Sequence, residues 1–108
     1  MVIDVYDGDT LRADIDLGFG VWLKNQSIRW LKIDTPEIRG EERARGLVAR
    51  DRVRELILFK HIKIKTHKDT KGKYGRWLAE VYLEETEELV WENSINEQLI
   101  DEGLARLY

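Results

Sequence analysis

The chain has 108 residues, 43% hydrophobic and 36% charged, which suits one folded domain, residues 1–108, built around a single core. No apolar run reaches the length needed to span a bilayer, and the absence of cysteine excludes disulfides and thiolate metal sites. The net charge of −3 is unevenly divided: residues 1–76 carry 17 Lys/Arg against 12 Asp/Glu, while residues 77–108 carry one basic residue, Arg106, against nine acidic ones. The first part is the side that suits a polyanion, although a solvated surface of mixed sign accounts for charge alone equally well. Residues 1–20 lack a basic segment followed by an apolar one, so no signal peptide is expected in this chain.

Residues 2–6 read as a short apolar strand ending at Asp7-Gly8, a tight-turn dipeptide. Thr10 to Leu17 alternates, with Leu11, Ala13, Ile15 and Leu17 on one side and Thr10, Arg12, Asp14 and Asp16 on the other, the mark of a half-buried strand. Gly18-Phe19-Gly20 bends it, and a second long strand is expected from Val21 or Gln26 to Ile33. Pro36 biases Thr35 away from helical geometry, so the chain leaves that strand extended. A helix is expected over about Glu41–Leu58, with Gly46, Ala49, Val53, Leu56 and Ile57 on one face and Glu41 and Glu42 in its first turn.

His61 to His67 alternates again, Ile62, Ile64 and Thr66 inward, Lys63 and Lys65 outward. A loop at Asp69–Gly75 leads to a strand at Arg76–Glu84 in which Trp77, Ala79, Val81 and Leu83 share a side. After an acidic connection, Ser94-Ile95-Asn96-Glu97 has the pattern of a capping box and starts a short helix stopped by Gly103. Trp22, Trp30, Trp77 and Trp91 are expected to pack, in the core or on the surface, rather than to stack on bases. His61 and His67 are expected to face solvent, and since no carboxylate partner is evident for either, a catalytic histidine is not expected. Five strands with a helix between the third and fourth is the element order of an OB-fold barrel: a mainly β, α+β architecture with a short C-terminal helix.

Two Asp-rich turns, Asp7-Gly8-Asp9-Thr10 and Asp34-Thr35-Pro36-Glu37, each follow a strand-like run, with Arg29 and Arg76 nearby. Carboxylates that hold a hard cation and guanidiniums that hold a phosphate are the parts needed to cleave a phosphodiester. Each has a plainer reading: Asp-Gly as a turn, Asp34-Thr35-Pro36-Glu37 as a strand exit ion-paired with Arg29, and Arg76 as a solvated cation.

These two turns, together with Ile28-Arg29-Trp30-Leu31, Ile33, Lys73-Tyr74-Gly75-Arg76, Asn96-Glu97-Gln98-Leu99 and Gly103-Leu104-Ala105, resemble the staphylococcal nuclease (thermonuclease-like) family in order and spacing across almost the whole chain. The resemblance implies an OB-fold and a Ca²⁺-dependent endo- and exonuclease acting on DNA and RNA, single-stranded or frayed, as a monomer without a membrane partner. It implies that Asp9, Asp34 and the Thr35 carbonyl are metal ligands, with Asp7 an acidic neighbour behind them. It assigns Glu37 as general base, Arg29 and Arg76 as phosphate-binding arginines, and Lys73 and Tyr74 as contacts to a terminal phosphate. Oxygen-only ligands favour Ca²⁺, and less strongly Mg²⁺, over zinc or copper. A noncatalytic OB-fold nucleic-acid-binding module is the alternative. Trp30 stands where this family usually has Leu, and Phe59 where a glycine commonly ends the helix.

Overall fold

The computed structural model describes residues 1–68 and 77–108. Strands β1 (Val2–Asp7), β2 (Thr10–Gly18) and β3 (Val21–Trp30) form an antiparallel meander, and helix α1 (Arg43–Ile57) leads into β5 (Ile62–Lys68) and β6 (Trp77–Leu83). The sheet order is β1-β2-β3-β6-β5; β6 runs antiparallel to β5 and parallel to β3 through Ile28↔Trp77, Arg29↔Leu78 and Trp30↔Ala79. This is the OB-like α+β architecture expected from the element order. Its two edges approach through backbone bonds at Val2, whose N–H donates to Lys60 at 3.1 Å and whose carbonyl accepts from Phe59 at 3.0 Å. Phe59 takes a left-handed φ of 59°, the conformation for which a glycine at that helix end is suited.

The long third strand ends earlier than its hydrophobic pattern suggests. Lys32 has a φ of 61°, and the resulting turn sets Ile33–Asp34 apart as a two-residue strand, β4. β4 pairs with Arg106–Leu107, a strand (β7) after the last helix that no alternation announced.

The core lies between the sheet and α1. Helix positions Gly46, Ala49, Val53 and Ile57 are buried as the periodicity requires, against Val2, Val5, Leu11, Ile28, Trp30, Ile33, Ala79 and Val81. Burying such side chains stabilises by about 1.5–3 kcal/mol each before the entropy of ordering them is subtracted. Trp30 is buried as expected, and Trp77 and Trp91 half-buried, but Trp22 is exposed. Thr66 lies opposite Ala79 yet is exposed, because it stands beyond Ile62 and Ile64, the core residues of β5. Among the described residues no helix is long and apolar enough to cross a membrane.

Helix α2 (Ile95–Asp101) begins at Ser94, whose Oγ accepts from the Glu97 amide at 3.1 Å. The reciprocal half of the capping box is replaced: Glu97 Oε2 accepts instead from the Trp91 indole at 2.6 Å. Asn96, one residue earlier, is fully buried and bridges three backbone groups. Its Oδ1 accepts from Val81 N–H at 2.8 Å, and its Nδ2 donates to Leu31 and Ala79 carbonyls at 3.0 and 3.2 Å. It thereby continues the β3–β6 pairing beyond Trp30 and fastens α2 to it.

Buried groups left without partners cost about 1–3 kcal/mol each. Asn96→Ala is therefore expected to lose on the order of 3 kcal/mol, read as a lower urea midpoint with an unchanged slope. A midpoint within error of the parent's would refute this role.

Candidate active site

The β1–β2 turn brings Asp7, Gly8 and Asp9 beneath the exit of β4. Asp9 N–H donates to Asp7 Oδ1 at 3.2 Å, an Asx-type turn that closes Asp7-Gly8-Asp9-Thr10. Asp9 is itself buried, and its carboxylate accepts from the Thr35 N–H at 3.2 Å and from Thr10 Oγ1 at 3.3 Å. The two Asp-rich turns, 26 residues apart in sequence, thus meet through a carboxylate and a backbone amide.

Two glycines make this meeting possible. A Cβ on Gly8 would lie 2.7–2.9 Å from the side chain of buried Thr35. A Cβ on Gly46, in α1, would run into the Glu37 carbonyl oxygen and stand 2.8 Å from that of Pro36. Segment 34–37 is therefore pressed between turn and helix, with the Glu37 N–H donating to Glu42 Oε2 at 3.0 Å and the Glu37 side chain exposed.

Arg29 projects from β3 on the face opposite Ile28 and Trp30. Its Nη1 stands 3.4 Å from Asp9 Oδ2, and its guanidinium lies 5.7 Å from the centroid of the Tyr108 ring. Asp34 pairs not with Arg29 but with Arg106 on β7, whose Nε and Nη2 donate to Asp34 Oδ2 at 3.1 and 2.9 Å. Arg106 is 81% exposed at its side chain, so this pair adds little stability and is readily exchanged for another ligand. Arg76, Lys73 and Tyr74, the remaining expected phosphate contacts, lie outside the described residues.

Burial first, and the adjacent Asp9 charge second, push Asp7 up from its ordinary 3.8 to about 6. Two close carboxylates, one reluctant to ionise, form a donor set that suits a divalent cation of oxygen preference. Among the described residues no three His, Cys, Asp or Glu side chains form a metal cage, so a cation here would complete its shell with backbone oxygen, water or substrate.

One expectation is overturned. His67 does have a carboxylate partner: its Nε2 lies 2.9 Å from Glu80 Oε2, and Tyr82 Oη donates to Glu80 Oε1 at 2.9 Å. Single-strand alternation hid the pair because it joins two strands in register. Arg106 was marked only by being the one cation in an acidic segment, and Gly46 only by its place on an apolar helix face.

The chain matches the family model described as Staphylococcal nuclease homologue over residues 27–108. It is 33% identical over 108 residues to a thermonuclease of Staphylococcus hyicus, an alignment covering 97% of this chain and 56% of that protein. It is 34% identical over 105 residues to the endonuclease YncB of Bacillus subtilis, covering 94% and 44%. A prophage-derived endonuclease, YokF, of the same organism is 32% identical over 105 residues, covering 94% and 31%. The chain belongs to the staphylococcal nuclease family, and it spans about half the length or less of these curated relatives.

Gly46→Ala should force the Pro36–Glu37 backbone away from α1, lowering the thermal midpoint and displacing the amide resonances of residues 35–37 more than those of β5. Retention of all these shifts would contradict the close packing. Asp7 also carries a pH signature. Its folded value lies above its unfolded one, so its stabilising contribution is complete below about pH 4 and is lost as the pH rises through about 6. Asp7→Asn is accordingly expected to be more stable than the parent at pH 7, by on the order of 1 kcal/mol once solvent screening is allowed for. The difference should vanish towards pH 4, and a gain of equal size at both pH values would refute it.

Proposed function

We propose that this chain is a metal-dependent nuclease, hydrolysing phosphodiester bonds of DNA and RNA with Ca²⁺ as the preferred cation. The observation that carries the reading is the Asp9–Thr35 contact, which brings the two carboxylate turns together beside Arg29. Relatives named thermonuclease and endonuclease support the reaction class. Asp9, Asp34 and the Thr35 carbonyl are the groups that would hold the cation, with Asp7 behind Asp9. When bound, the ion supplies Lewis-acid stabilisation of a phosphoryl oxygen.

The chain's own residues account for the rest. Arg29 is parked on Asp9 and the Tyr108 ring, and its planar fork matches two non-bridging phosphate oxygens. Glu37, exposed on a backbone held from both sides, is the base that takes a proton from the attacking water as the new P–O bond forms. The P–O bond to the leaving sugar oxygen then breaks, and that oxygen takes up a proton from solvent water. Arg76 is proposed as the second guanidinium on the phosphate, and Lys73 and Tyr74 as contacts to a terminal phosphate. Strand substrates that are single or frayed fit an open sheet face better than a closed duplex.

The direct test is release of acid-soluble nucleotides from single-stranded DNA across a Ca²⁺ titration; intact substrate at every concentration rejects the reading. Glu37→Gln is expected to lower turnover by at least about 100-fold while leaving nucleotide affinity within about threefold. Parallel loss of binding and turnover would make Glu37 structural and favour the noncatalytic OB-fold module.

A further inference from the structure

The outer face of the sheet carries a second constellation that the hydrolytic site does not use. Arg29 on β3 is paired with Leu78 on β6, and Leu78 with His67 on β5. Residues in one cross-strand row share a face, so His67 stands on the same surface as Arg29, two strand spacings or about 10 Å away. Leu78 between them is only half-buried.

His67 is held rather than loose. Its side chain is 42% exposed while that of Glu80 is 8% exposed. Burial disfavours the Glu80 carboxylate, but bonds from His67 and Tyr82 and the charge of Lys65 outweigh that and keep it ionised. Burial and the Glu80 bond raise Tyr82 well above the usual tyrosine range, so its hydroxyl stays a donor. A buried, anchored carboxylate therefore grips Nε2 of the imidazole, and the other ring nitrogen, Nδ1, makes no hydrogen bond among the described residues.

From this geometry we infer that His67, oriented by Glu80, is a phosphate contact for a single-stranded nucleic acid that crosses β6 from Arg29 towards β5. The inference rests on the nuclease reading and extends it to the path of the strand away from the cleaved bond. The groups facing His67 among the described residues are Glu80 and Tyr82 on β6, Lys65 on its own strand, and Arg29 across the row. Histidine gains its charge between about pH 5 and 8. With a neutral ring the His67–Glu80 pair carries a net charge of −1, which repels a phosphate, whereas with a protonated ring it is neutral and presents an outward N–H donor. Lys63 on the same strand is committed elsewhere, its Nζ donating to the Thr86 carbonyl at 2.7 Å.

The test is binding without cleavage: fluorescence anisotropy of an oligothymidylate of about 12 nucleotides, with no divalent cation. Titrations span salt from about 50 to 200 mM at about pH 5.5 and pH 8. The parent is expected to bind more tightly than His67→Gln by about threefold at the lower pH. Its slope of log affinity against log salt should be steeper by about 0.7 there, and both differences should disappear at the higher pH. Comparison within each pH removes the contribution of Asp7, which titrates in the same window. His67→Lys should restore the slope at both pH values.

Equal slopes for parent and His67→Gln at both pH values, with a lower thermal midpoint, would make the pair structural and overturn the inference. A parent that binds in this way but cleaves nothing with any cation would defeat the nuclease reading and leave this contact standing. A parent that cleaves but shows no His67 dependence would defeat this contact alone.

Discussion

The hydrogen bond from the Thr35 amide to the Asp9 carboxylate is the contact on which the candidate site depends. It joins a turn between two meander strands to the exit of a short edge strand. It forms only because no side chain intervenes at Gly8 or Gly46. A carboxylate has lone pairs beyond those that accept from the Thr35 amide and the Thr10 hydroxyl, so Asp9 can be both a structural acceptor and an available ligand. Burial, and then the adjacent Asp9 charge, weaken the acidity of Asp7.

Around that contact the fold shows a division between held and exchangeable groups. The Thr35 and Glu37 backbones are fixed, the first by Asp9 and the second by Glu42 and the close approach of α1. The guanidiniums are not. Arg29 rests on a buried carboxylate and an aromatic ring, and Arg106 rests on Asp34 in an exposed ion pair that a phosphate or a cation can replace at small cost. A fixed backbone with exchangeable side-chain cations suits chemistry in which charge develops on the substrate rather than on the protein.

The legible parts of this chain were those governed by local rules. The apolar stripe of α1 came out with Gly46, Ala49, Val53 and Ile57 buried and Leu56 half-buried beside them, because helical periodicity is an intrinsic property of the segment. The alternation of β2 held for Leu11 and Ala13 and the Ser94 cap formed as expected, whereas Leu17, placed on the inward side by the same alternation, is exposed near the strand's end. The early end of β3 was not legible, since the left-handed turn at Lys32 carries no glycine or asparagine to announce it. β7 was invisible because two residues paired to a distant edge have no period. Glu97 illustrates the limit of a motif: the cap formed, but its carboxylate found the Trp91 indole rather than its own turn.

What sequence by itself determined was the family and the set of groups proposed to react, since acidic turns, arginines and their spacing are written in chain order. It also determined which side of each long element meets the core. Which groups meet was decided only in three dimensions. The partner of Asp34 is Arg106 rather than Arg29, and His67 is tied to Glu80, because strand register and edge pairing bring together residues 72 and 13 positions apart. Such pairings depend on the packing of the whole sheet, and no local preference of either residue specifies them.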